Sequence, residues 1–175
     1  MSKNVMIDLE TMSTSSNAAI VSIGAVKFDN NGLGDTFYCN VDLASSVQQG
    51  GEIDANTVMW WLSQSSAARG MLINDVKAHI NSALLEFNKW LEPNTKVWGN
   101  GVDFDNVILA NAYKRSSVEM PWKYYNNRCY RTIKNIFDPK SELFKRIGEA
   151  HNALDDAKSQ VEHLLKICEA YSISL

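Results

Sequence analysis

Near its start the chain reads Val5-Met6-Ile7-Asp8-Leu9-Glu10-Thr11, an apolar strand pattern carrying two acids two residues apart. Successive strand side chains point to opposite faces, so Asp8 and Glu10 project from the same face of whatever sheet this strand joins. Charge inside an apolar strand is costly unless paired or bound to metal, and the segment holds no Lys or Arg. The fold must therefore leave this face in water or bring other groups to two neighbouring carboxylates. A solvated strand edge and a functional site fit one such pair equally well, because perturbed acids mark sites only statistically.

The residues around this strand set the fold class. Ala18–Phe28 reads as a second strand rich in β-branched residues, and Thr36–Leu43 alternates as a third. Between them Asp29-Asn30-Asn31-Gly32 tolerates the positive φ of a hairpin turn. The acidic run from Asp29 to Asp35 has the look of half a calcium loop, but it lacks the terminal Glu at the required spacing and reads as a turn. From Asp54 the period becomes helical, with a short helix over Asn56–Leu62 and a longer one over Val76–Leu91, where Ile80, Leu84, Phe87 and Leu91 share a face. Pro93 ends it. Thr95–Gly99 is a brief strand that runs into helical spacing over Asp105–Lys114, which predicts a parallel crossover. Ser116–Asn127 reads as an aromatic loop, Arg131–Phe137 as a short helix and His151–Tyr171 as the strongest helix of the chain. Antiparallel strands followed by strand-helix units make a mixed α/β sheet flanked by helices.

Composition excludes several classes. At 175 residues, 45% hydrophobic and 21% charged, the chain fits one globular domain spanning 1–175. No stretch approaches the roughly 18 continuous apolar residues of a membrane span. The opening lacks a basic segment followed by an apolar one, so a soluble, unexported, cytoplasmic protein is expected. Cys39, Cys129 and Cys168 are odd in number and form no CxxC pair, which argues against a disulfide framework or a zinc ribbon. A net charge of −3 argues against a broad basic face for long duplexes, so any nucleic-acid contact should be local.

Further acids fall into patterns that share the logic of Asp8 and Glu10. Asp105 lies on one helical face with Ile108, Leu109 and Ala112, whereas Asp103 precedes the helix and suits a capping or turn role. In the last helix Ala153, Ala157, Val161, Leu164 and Cys168 form an apolar stripe, with Asp156 at its edge and Asp155 on the polar side. His151 stands just before that helix, where it suits a general base or, equally, a cap or surface residue.

Together these residues resemble the DEDD, or DnaQ-like, exonuclease superfamily, which includes proofreading exonucleases, ribonuclease T and oligoribonuclease. Asp8-Leu9-Glu10 is similar to its first motif and NGVDFD at 100–105 to its second. HNALDD at 151–156 has the H-x-A-x-x-D form of the histidine-containing subclass. The motifs follow in order across nearly the whole chain. The run WGNGVDFDN and the pair Trp60-Trp61 are most similar to the phage and bacterial branch of Rv2179c-like exoribonucleases. Relative to the commoner N-x-x-F-D pattern, one additional residue separates Asn100 from Phe104-Asp105. That leaves Asp103 and Asp105 as alternatives for the second-motif ligand, with the Phe-Asp pair and the inward helical face favouring Asp105.

The resemblance implies a ribonuclease-H-like, mixed five-stranded sheet flanked by helices. It implies a metal-dependent 3′-to-5′ exonuclease acting on single-stranded DNA or RNA and releasing nucleoside 5′-monophosphates. Asp8, Glu10, Asp105 and Asp156 would then hold two Mg2+ or Mn2+ ions, with His151 as general base. Thr11 and Met12 follow the first motif where they would touch the terminal nucleotide, and Trp60, Trp61 or Tyr124 would stack on a base. At least one of Trp60 and Trp61 belongs to the core instead, because helix neighbours diverge by about 100°. Arg131 suits a phosphate contact or an ordinary surface role. Relatives are often dimers, and the aromatic loop Trp122–Tyr125 is the expected exposed interface. Two competing readings are an inactive exonuclease-like binding module, against which the intact acids and His151 speak, and an endonuclease of the same broad fold.

Overall fold

Three strands pair in the order in which they occur. β1 (Asn4–Thr11) and β2 (Ile20–Asp29) run antiparallel, with Asp8 opposite Gly24, and β3 (Gly32–Asn40) continues the meander. On the other side of β1, β4 (Lys96–Gly99) pairs in parallel, and β5 (Asn127–Cys129) pairs in parallel with β4. The order β3-β2-β1-β4-β5 puts β1 at the centre, where Val5, Met6 and Ile7 are shut from solvent. This computed structural model describes residues 4–73 and 76–175.

Helices cover both faces. After β3 come α1 (Leu43–Gln48), α2 (Ala55–Ser63), α3 (Ser66–Leu72) and α4 (Ile80–Trp90). After β4 come α5 (Val107–Arg115), α6 (Tyr130–Phe137) and α7 (Ala153–Tyr171). The odd-numbered residues Val5, Ile7 and Leu9 share a core with Leu84 and Phe87 of α4 and Ile108 and Leu109 of α5. Met6, on the opposite face, packs with Ala157, Val161 and Leu164 of α7 and Tyr130 of α6. Strand alternation therefore turns Asp8 and Glu10 toward the start of α7.

How α7 reaches them depends on Gly24. A Cβ there would lie 2.2 Å from the backbone carbon of Ala153, so only glycine lets the first turn of α7 rest on the sheet beside Asp8.

Some boundaries differ from the sequence pattern, each for a local reason. β3 starts at Gly32 and ends at Asn40, because the hairpin closes directly and the Asp42 carboxylate caps α1 by accepting from the Ser45 amide. α1 and α3 carry too few apolar residues for a readable period; Asp42 and Ser65 start them as caps. α4 begins at Ile80, not Val76, with His79 as its cap. α7 begins at Ala153, because His151 adopts a left-handed φ of 62° and Asn152 caps the helix from its side chain. Trp122 is not part of an exposed aromatic loop: it is buried, its indole nitrogen donates to Asn127 at 2.9 Å, and its ring packs on Phe87 and Tyr113. Tyr124 and Tyr125 remain exposed. Among the described residues no helix is long and apolar enough to cross a membrane.

Replacing Gly24 with Ala should force α7 off β2 and lower stability by about 2 kcal/mol or more, as overpacking of a dense core does. Thermal unfolding should show a midpoint about 4–8 °C lower for a chain of this size.

Candidate active site

Three segments distant in sequence bring acids to the α7 side of β1. The β1–β4 pairing covers Asn4 to Met6 only, so β1 continues beyond its parallel neighbour. There the Leu9 amide, between Asp8 and Glu10, donates to one oxygen of Asp105 at 3.2 Å, and the Asn100 amide donates to the other at 2.9 Å. Asp105 belongs to a π-helical turn, Val102–Asn106, that precedes α5. A π turn holds one more residue than an α turn, and the additional residue of this segment is taken up there. Asp105 is buried by this geometry, while Asp103 faces solvent.

The start of α7 supplies the remaining groups. Glu10, His151 and Asp156 each offer a ligand atom within 4.8 Å of the others. The His151 amide donates to Asp156 at 3.0 Å, which holds the left-handed bend ahead of the helix. One turn after Asp156, the Gln160 amide donates to Asp8 at 2.7 Å, leaving the buried Gln160 carbonyl oxygen without a partner among the described residues. The other oxygen of Asp156 pairs with Arg146. Asp155 serves the loop rather than the cluster, accepting from the Glu149 amide at 3.0 Å.

Crowding shows in the proton affinities. Burial holds the Asp8 carboxyl well above the usual carboxylate range, and Asp105, Glu10 and Asp156 push it further against the opposing Gln160 hydrogen bond. Burial, then Asp156 and Asp105, push Glu10 up to about 8. Asp105 is raised to about 7 by burial, against the Leu9 and Asn100 amides and the positive charge of Arg131. Such a set is short of positive charge. Its donors are carboxylate oxygens with one imidazole, the chemistry that suits hard divalent cations such as Mg2+ or Mn2+. The unpartnered Gln160 oxygen beside Asp8 adds a polar atom to the same space. The residues present fit such ions: Glu10, His151 and Asp156 offer ligand atoms close to one another, with Asp8 and Asp105 beside them.

Two grooves meet at Leu9 and Glu10. The first, about 580 Å³, is largely apolar and is walled by Thr11, Trp60, Trp61 and Phe104. Trp61 is core: it is 3% exposed and its indole nitrogen donates to the Thr11 carbonyl at 2.9 Å. Trp60 is 41% exposed and meets the His151 ring edge to face at 4.9 Å. Met12 does not line this groove; an apolar cluster with Ala19, Val21, Trp61 and Ala68 claims its side chain. Tyr124 lines neither groove. The second groove, about 420 Å³, is polar and holds Asp8, Asn100, Lys134, Arg146, His151 and Asp156. Arg131 lies at its margin, where its guanidinium donates to the Asn100 carbonyl and so fixes the turn that carries Asp105.

The sequence pattern passed over Gln160 and Arg146. Gln160 stands four residues after Asp156, one turn along the same helical face, and that spacing was the available signal. Arg146 sits in a loop without periodicity, so no pattern marks it.

A five-stranded mixed sheet clad by helices, with carboxylates gathered at the end of its central strand, is a ribonuclease-H-like fold. The nuclease domain of 3′hExo, a DEDDh family member solved bound to rAMP, is similar over 98% of this chain and 94% of its own, with a TM-score of 0.62 at 12% identity. Exonuclease X in complex with 5′ overhanging duplex DNA gives 0.63 at 17% identity over 97% and 93%. E. coli ExoI, in a metal-free complex with single-stranded DNA, gives 0.57 at 15% identity over 97% of this chain and 39% of its own. No curated protein matches the sequence. The family described as the 3′-5′ exoribonuclease Rv2179c-like domain matches residues 3–168, and the chain belongs to it.

The acid cluster makes stability depend on pH with a definite sign. Folded Glu10 and Asp105 keep their protons up to about 8 and about 7, whereas an unfolded chain releases them near ~4. The folded state therefore binds more protons across that window, and stability falls as pH rises through it. In chelator, the unfolding midpoint should decline from about pH 5 to about pH 8 and then level, and Mn2+ should restore it at the upper end. A midpoint that climbs over the same range without metal would contradict the crowding described.

Proposed function

We propose that this protein removes nucleotides one at a time from the 3′ end of single-stranded nucleic acid and releases nucleoside 5′-monophosphates. The carrying observation is the convergence of Asp8, Glu10, Asp105 and Asp156 with His151 at the mouth of an aromatic groove. In this reading the groove receives the terminal nucleoside, with its base against the exposed face of Trp60. The phosphate that follows then lies at the acids. When bound, two divalent ions supply charge neutralisation and Lewis acidity at that phosphate.

The chain's own groups do the rest. A neutral imidazole nitrogen accepts a proton readily, so His151 is the group to take one from the attacking water. Its ring is restrained by Trp60, and its backbone is tied to Asp156. Arg131, through Asn100, keeps Asp105 in place while Leu9 and Asn100 orient its carboxylate. Four converging acids support a catalyst over a binding-only module, since carboxylates without cations repel phosphate. The family's description as exoribonucleases puts RNA first among substrates, while Exonuclease X and ExoI are described with DNA.

End-labelled RNA and DNA strands of matched sequence, incubated with Mg2+ or Mn2+, should shorten by single nucleotides from the 3′ end, and circular strands should stay intact. Asp105→Asn should stop release and cost some stability, because its NH2 would face one of the two backbone amides that donate to the carboxylate. His151→Ala should lower kcat about 10²- to 10⁴-fold, the range typical of a general base. Trp60→Ala should act chiefly on KM, weakening binding roughly 5- to 150-fold as loss of one stacked base does. Cleavage of circles, or full activity in the Asp105 variant, would sink the proposal.

A further inference from the structure

Among the described residues, one member of the acid cluster is held by a cation of the protein's own: Asp156 pairs with Arg146. Both oxygens of Asp156 are then engaged, one by the Arg146 guanidinium and one by the His151 amide. An Arg cannot discharge itself, and a guanidinium beside a divalent cation meets like-charge repulsion. Anything cationic that takes Asp156 must therefore send the Arg146 head group elsewhere.

Where it can go is narrowly set. On one side of Arg146, the Ile147 amide donates to the buried Ser159 hydroxyl at 2.8 Å. On the other, the Glu142 and Leu143 amides donate to the Asp138 carboxylate at 2.9 Å each, and Asp138 in turn holds the buried His163 ring at 2.7 Å. Phe144 packs on His163 and lies 5.9 Å from the guanidinium. The backbone is clamped at both ends, while the side chain is 42% exposed and lines the polar groove together with Lys134 and Asn100. A guanidinium displaced from Asp156 can remain within that groove, where its planar fork matches a phosphate.

We propose that Arg146 is a phosphate ligand held in reserve: in the metal-free protein it neutralises Asp156, and when a divalent ion takes that carboxylate it passes to the substrate phosphate. This rests on the nuclease reading above. The pair thus orders events, because the arginine is free for phosphate only after the acid has been claimed by metal. No atom is transferred in the exchange, only an ionic partner.

Calorimetric titration tests it without relying on turnover. Mn2+ titrated into the protein alone should bind Arg146→Met several-fold more tightly than the wild type, since no guanidinium competes for Asp156. With Mn2+ saturating, adenosine 5′-monophosphate should bind that variant at least ~10-fold more weakly, the loss expected for a hydrogen bond to a charged group. Adenosine should bind both proteins alike, and Arg146→Lys should recover part of the monophosphate affinity. Unchanged monophosphate affinity in Arg146→Met would overturn the proposal even if Mn2+ bound more tightly, for the pair would then be only a competitor of metal. Weaker Mn2+ binding would overturn it too. If the wild type binds Mn2+ and monophosphate but releases no nucleotide from any strand, the nuclease reading fails while the behaviour of Arg146 is still measured.

Discussion

Burial of carboxylates that also crowd one another in one groove is the constraint around which this molecule is arranged. Three of the acids are answered by donors from different parts of the chain: Asp8 by Gln160 of α7, Asp105 by the amides of Leu9 and Asn100, Asp156 by the amide of His151 and by Arg146. Glu10 has no such donor among the described residues, and its proton affinity is raised to about 8. Hydrogen bonds to a charged carboxylate oppose the effect of burial, so the uneven supply of donors tells which acid depends most on added cations.

That arrangement requires three elements to meet within a few ångströms. β1 reaches past its parallel neighbour, the turn carrying Asp105 folds back to the Leu9 amide, and α7 lies on β2 at Gly24. The loop before α7 carries left-handed residues at Ser141, Gly148 and His151, conformations that cost energy for side chains other than glycine. Strain at His151 is balanced by the hydrogen bond from its amide to Asp156 and by the capping oxygen of Asn152. The same bond that relieves the bend also orients the acid, so local folding and site geometry are one interaction here.

Much of this was legible from residue order. Alternation put Asp8 and Glu10 on one face, helical spacing turned Asp105 inward and Asp103 outward, and the stripe of α7 set Asp156 at its edge. Those inferences concern direction, and backbone periodicity dictates direction. Partners were harder. The side chain of Met12 follows the acids in sequence yet is drawn into a small apolar cluster, and Trp122 is buried although it stands in an irregular stretch without periodicity. Both outcomes depend on surfaces delivered by α3, α4 and α5, which no local pattern encodes. Arg146 likewise acquires its neighbour only through a clamp made by Asp138 and Ser159, residues 8 and 13 positions away. The three motifs were readable as a family because they lie on the central strand and on the two segments that close over it.

The widened turn at Val102–Asn106 has one more consequence. Lengthening a helix start by a single residue ordinarily swings everything downstream by about 100°, which would carry a carboxylate from the groove to the solvent. Here the surplus is absorbed where it arises, and α5 resumes in phase with its apolar side still on the sheet. The position of a functional atom in space is thereby uncoupled from its count along the chain. A scheme that recognises such enzymes by fixed letter spacing would pass over this segment, whereas one that asks which oxygen meets the Leu9 amide would not.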